Sequence, residues 1–156
     1  MTRLVIERGL ALIYVLAFVA AVHQFPALLG ERGLLPVPDY LRQVGFRRAP
    51  SLFHLGYSDR RLAVVAWAGI GLSVALLVGL PQAAPLPITM LAWAILWVLY
   101  LSIVNVGQTF YSFGWESLLC EAGFLAIFLG NADVAPPLLV LIGFRWLTYR
   151  VEFGAG

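Results

Sequence analysis

From Leu62 to Leu80, and again from Leu86 to Val104, the chain carries no charged side chain. Each run is about 20 residues, the length a helix needs to cross the hydrocarbon core of a bilayer. Lipid offers backbone N–H and C=O groups no partners, so segments like these must be helical to sit there. A soluble fold of this size could not hide them. Of the 156 residues, 62% are hydrophobic and 12% charged, where soluble domains average about 45–50% and about 25%. Disorder is excluded by the same figures, because it needs low hydrophobicity and high charge. The net charge is only +2, and no basic run is longer than Arg47-Arg48 or Arg60-Arg61, which argues against a nucleic-acid partner. The expected fold is therefore all-α: a polytopic membrane helix bundle of about five transmembrane helices, forming a single membrane domain over residues 1–156.

The first expected span is Leu10–Leu29, preceded by Arg3, Glu7 and Arg8. It is longer than the apolar core of a cleaved signal peptide and further spans follow, so it reads as an anchor. The second is Leu62–Leu80, N-capped by Ser58 or Asp59. Gly71, Ala75 and Gly79, with Gly69 and Ser73 beside them, supply the small residues through which helices approach closely in lipid. The third is Leu86–Val104, where Trp93, Trp97 and Tyr100 share one aromatic face. The fourth, Trp115–Leu129, is short and contains Glu116 and Glu121. The fifth, Pro137–Val151, contains Arg145 and Arg150. An odd number of spans sets the termini on opposite sides.

The long connection 30–61 carries Arg32, Arg42, Arg47, Arg48, Arg60 and Arg61, against Arg3 and Arg8 in the N-terminal tail. Loop charge alone places this connection in the cytoplasm. Within it, Tyr40–Arg48 is expected to form a short interfacial helix.

No phosphate-binding glycine loop, HExxH, CxxC or GxSxG pattern is present. His23 and His54 are isolated, and Cys120 is the single cysteine. No metal ligand set, catalytic residue or cofactor is expected. The informative stretch is Asn105–Glu116, with four aromatic residues, two glycines and two amides between apolar spans. Such a segment is too polar for lipid and suits a turn buried against other helices. Within it Asn105, Gly107, Gln108, Tyr111, Gly114, Trp115 and Glu116 are the candidate interfacial motif. Gly107 and Gly114 are expected to supply its permissive dihedrals, and Gln108, Tyr111 and Glu116 to converge in a polar rim. This rim either caps the helices or binds a lipid headgroup or a client segment.

Charges at membrane depth cost several kcal/mol unless paired. About a turn centred on Asp133, Glu121 matches Arg145 in depth and Glu116 matches Arg150. Five residues rotate a helix by about 140°, so only one pair can occupy the seam. Glu121–Arg145, the deeper, is the expected buried ion pair.

The run LYLSIVNVGQTFYSFGWESLLCEAGFLAIFLG (Leu99–Gly130) resembles the lipase maturation factor family. So do GYSDRR at Gly56–Arg61 and Pro136-Pro137 followed by FRWLTYRVEFGAG, Phe144–Gly156. The resemblance covers essentially the whole chain. It implies a multi-span membrane protein with a chaperone-like role in folding and assembling secreted dimeric lipases, rather than catalysis. Animal members reside in the endoplasmic reticulum and are thought to place the first loop in the lumen, opposite to the loop-charge reading. Members continue past the FGAG motif into a large soluble domain expected to engage the lipase. The chain is accordingly expected to be an N-terminal fragment, a split product or a degraded homologue. Membrane lipids are expected partners, with a secreted lipase client engaged through that further domain. All ten basic residues are arginine, a bias that suits a bacterial genome and hence the inner membrane. In a eukaryote the endoplasmic reticulum membrane would take its place. Two other readings stay open: a membrane enzyme distantly like the vitamin-K-dependent carboxylase, with Glu116 or Glu121 as acid/base, and a structural or transport subunit.

Overall fold

The computed structural model describes residues 2–154, which contain six α-helices and no strand. The helices are α1 (Thr2–Leu29), α2 (Val37–Gln43), α3 (Asp59–Val78), α4 (Leu86–Val104), α5 (Gly114–Ile127) and α6 (Leu138–Gly154). Three of them, α1, α3 and α4, are long and apolar enough to cross a membrane. The other two long elements, α5 and α6, have 14 and 17 residues. At about 1.5 Å per residue α5 spans only about 21 Å. Irregular backbone completes its path at both ends, as lipid permits only where protein covers that backbone.

The sequence boundaries of α4 match, and those of α3 fall within three residues. Ser58 caps α3, its Oγ accepting from the Arg61 N–H at 3.2 Å. Gly79 ends it at φ 90°, where a side chain would be strained. The Gly79 N–H returns to Leu76 O and the Leu80 N–H to Ala75 O, a Schellman closure. Arg8 of α1 donates to Leu76 O at 3.0 Å, placing a cation on the negative end of the α3 dipole.

Five helices alternate in direction. α1, α3, α4 and α5 close a ring, and α6 leans on α5 from outside. The core stripe of α1 is Leu10, Ala11, Tyr14, Phe18, Ala21, Phe25 and Leu29, all buried, with the three-and-four spacing of one helical face. Tyr14 lies in the ring centre beside Phe18, Trp93 and Tyr100, with ring centroids 5.4–6.5 Å away. The aromatic face of α4 is therefore packing surface. So is one of the two small-residue rows of α3. Gly69 lies against the Phe18 ring and Ser73 is fully buried, while Gly71 faces outward with open space beyond it.

The short interfacial helix is displaced from its expected place. It covers Val37–Gln43, not Tyr40–Arg48. Pro38 fits a first turn, where its missing N–H has no helical partner to lose, so the helix starts early. Val44 is extended and ends it. Leu52–Leu55 adds a 3₁₀ turn, capped by Ser51, whose Oγ accepts from the Phe53 N–H. The connection 30–58 thus folds back over one end of the bundle.

Candidate functional site

The capped end brings together the C-terminal ends of α1 and α4, the start of α5 and the connection 30–58. Ser102 is the pivot on α4. Its Oγ donates to Val98 O at 2.7 Å and accepts from the Leu52 N–H at 3.1 Å, while its carbonyl accepts from Ser51 Oγ at 2.8 Å. Asn105 Nδ2 donates to Pro50 O at 2.7 Å, and Gln108 Nε2 donates to Leu35 O at 2.9 Å. The amides of the motif thus satisfy carbonyls of the long connection, which lipid would otherwise leave unpaired. On the α1–α3 side, Asp59 Oδ1 accepts from the Glu31 N–H and from the Tyr57 hydroxyl, each at 3.1 Å. Burial first, then the Asp59 carboxylate, hold the Tyr57 phenol above its usual range, so it remains a donor.

Glu116 stands where α5 begins. It accepts from the Tyr100 hydroxyl of α4 and from Trp115 Nε1 at 2.9 Å. Tyr111 packs on Phe25, ring centroids 5.4 Å apart. Burial, and then the nearby Glu116 charge, push its phenol up as well. Tyr111 and Glu116 make no hydrogen bond to each other among the described residues, and Gln108 turns away toward Leu35.

The glycines work differently from expectation. Gly107 has φ −74°, an ordinary right-handed value. The left-handed residue is Gln108, at φ 48°. Gly107 is needed for space, because a Cβ there would meet the Tyr111 side chain. Gly114 has neither constraint: no atom lies within 4 Å of its Cβ position and its φ is not positive.

The expected Glu121–Arg145 pair does not form, and neither does the other pair of matching depth, Glu116–Arg150. Glu121 is held by Arg150 instead, at 2.6 Å and 3.2 Å through both guanidinium nitrogens. Equal depth was the wrong criterion. Side chains tilt toward their own helix N-terminus, so in an antiparallel pair Glu121 leans toward the capped end and Arg150 leans away from it. They meet although Arg150 sits five residues beyond Arg145. The same five residues turn Arg145 onto another face of α6, and Glu116 is already engaged by Tyr100. The pair is not buried either: the side chains are 46% and 40% exposed, toward the outer face of the bundle.

In water such a pair would contribute about 0.2–1 kcal/mol. At membrane depth the unpaired carboxylate is the larger cost, about 2.5–3.5 kcal/mol for a mid-bilayer acid. Arg150→Leu is expected to lower the folded yield from membranes severalfold, and the exchange Glu121→Arg with Arg150→Glu to restore most of it. Quantitative extraction with size-exclusion profiles checks this. An exchange variant no better than Arg150→Leu would remove the pair from the account.

Other participants gave no usable sequence signal. Tyr100 read only as part of an aromatic face, although it binds Glu116 sixteen residues on. Glu7 read as a flanking charge, yet it is 3% exposed and its Oε2 accepts from Gln82 Nε2 at 3.2 Å. Ser102 had one available hint, as a hydroxyl near the end of an otherwise apolar span.

A family model described as the lipase maturation factor transmembrane domain matches residues 1–156. The chain belongs to the lipase maturation factor family. It is 40% identical over 178 residues to lipase maturation factor 1 of Bos taurus, covering all of this chain and 31% of that protein. With lipase maturation factor 1 of Mus musculus it shares 41% identity over 179 residues, covering all of this chain and 30% of that one. With lipase maturation factor 2 of Xenopus laevis the figures are 33% over 169 residues, 95% and 23%. The chain thus spans about a third or less of the length of these curated relatives. No solved structure matches it. Family membership and the apolar helices together make this an integral membrane protein.

Proposed function

We propose that this chain is the membrane module of a lipase maturation factor, acting in the folding and assembly of secreted lipases without a catalytic step of its own. The observation that carries the reading is the match to lipase maturation factor 1 over the full 156 residues. The capped end supports it: the connection 30–58 and Asn105–Glu116 form one hydrogen-bonded layer over the bundle. That layer suits a platform whose outer surface mixes polar groups with exposed apolar side chains such as Leu34, Phe46 and Leu55. The two carboxylates that an enzyme reading would recruit are committed elsewhere, Glu116 to Tyr100 and Trp115, Glu121 to Arg150. Client contact through a further soluble domain belongs to the same proposal, as does the single membrane domain over 1–156. Its membrane would be the one across which lipases are secreted: the inner membrane in a bacterium, the endoplasmic reticulum membrane in a eukaryote.

The test is secretion of a lipase from cells with and without the complete gene. The specific activity of the secreted enzyme is expected to fall severalfold on deletion, with lipase transcript unchanged. Equal specific activity in both strains would overturn the proposal.

A further inference from the structure

At the end of the bundle opposite the cap, the first turns of α1 and α6 and the turn between α5 and α6 enclose a cavity of about 890 Å³. Its charged lining is Arg3, Arg145 and a single acid, Asp133. Arg3 spends one guanidinium N–H on Val134 O, at 2.6 Å. Arg145 has no hydrogen-bond or ion-pair partner among the described residues. Its expected partner, Glu121, is taken by Arg150. Asp133 does not substitute: its Oδ2 accepts a long contact, 3.4 Å, from Asn131 Nδ2. Arg145 sits seven residues into α6, about 10 Å along the helix axis, where an unneutralised cation is costly. Thr2 and Thr148 add two hydroxyls to the lining, and the rest of the wall is mostly apolar, with Ile6, Leu141 and Phe144 facing the same space.

We infer that this cavity is a phosphate-binding site that takes the headgroup of an anionic phospholipid. Guanidinium forks match phosphate oxygens in geometry and charge. Arg3 and Arg145 approach from two helices and would clamp one phosphodiester between them. Ile6, Leu141 and Phe144 continue from that point along the bundle, where the glycerol and the first methylenes of an acyl chain would lie. A phospholipid brings the counter-charge to the depth at which Arg145 lacks one. A soluble phosphoester carries the same phosphate but leaves the apolar wall uncovered.

The test uses the full chain purified from vesicles of phosphatidylcholine with and without phosphatidylglycerol, with retained lipid counted by native mass spectrometry. The wild type is expected to retain phosphatidylglycerol selectively. The Arg3→Gln, Arg145→Gln double variant should need at least about tenfold more of it, one charged hydrogen bond being worth about that factor. Asp133→Asn removes the only acid in the cavity lining at nearly constant shape and should bind severalfold tighter. That gain cannot come from misfolding, so it decides the matter if the arginine variant does not fold. Adding glycerol 1-phosphate separates the sources: no displacement assigns the site to membrane lipid, and full displacement assigns it to a free phosphoester. Retention of phosphatidylglycerol that is unchanged in Asp133→Asn, or in a folded double variant, overturns the site.

Discussion

Gly123→Ala is expected to destabilise the bundle by about 1–3 kcal/mol, the usual cost of forcing a methyl into a packed core. Gly123 of α5 faces the ring end of Tyr14. A Cβ there would collide with the Tyr14 hydroxyl and lie 2.9 Å from its Cζ. The ring cannot step aside. It is fully buried, its hydroxyl donates to Leu119 O at 3.0 Å, and Phe18, Trp93 and Tyr100 surround it. Tyr14→Phe alone should cost about 1 kcal/mol for the lost hydrogen bond. In the double variant the added methyl no longer meets an oxygen, so the two costs should sum to less than their separate values. Thermal unfolding in detergent, followed by helical circular dichroism, measures all four corners of this cycle. Strict additivity would show that α1 and α5 do not approach each other through Gly123.

The second large effect belongs to Glu116. Replacing it with Leu removes the acceptor from the Tyr100 hydroxyl and from Trp115 Nε1. Tyr100 is 1% exposed, so its hydroxyl would be left without water or protein. A buried polar group stranded in this way costs about 1–3 kcal/mol. Glu116→Gln keeps an acceptor oxygen in the same place and should stay within about 1 kcal/mol of the parent. The measurement is the melting temperature of both variants beside their lipase-dependent activity in cells. A Leu variant as stable as the parent would deny Glu116 its structural role. A stable Gln variant with lost lipase maturation would instead assign the carboxylate charge to function.

The two chargeless runs were readable because membrane depth imposes length and polarity on any sequence that crosses it. That is why the bounds of α4 agree, and of the two cap candidates for α3, Ser58 and Asp59, Ser58 takes the position. The turn around Asn105–Glu116 was likewise legible as an irregular segment, since no lipid-facing helix tolerates that composition; its burial was overstated, because only Val106 and Gly107 are buried while Thr109 and Ser112–Trp115 are exposed. Its internal wiring was not legible. Gln108, not a glycine, takes the left-handed backbone, and it does so while its amide reaches Leu35 across the bundle end. No local pattern encodes a contact with a residue 73 positions away.

The ion pair shows where sequence reasoning stops most clearly. Counting outward from Asp133 correctly recognised that Glu121 would seek an arginine across an antiparallel hairpin. Choosing between Arg145 and Arg150 needed the tilt of side chains toward each helix N-terminus and the rotation of α6 about its axis. Both are properties of two packed helices, not of either sequence alone. The sequence by itself determined that the chain lives in a membrane, that its segments are helical and that its charges need partners. Hydrophobicity, backbone hydrogen bonding and the cost of burying charge act on each segment separately. Tertiary structure alone decided which partner each charge received. It alone placed Tyr14 against Gly123 and closed the connection 30–58 over the bundle, because those outcomes depend on the relative rotation and offset of whole helices.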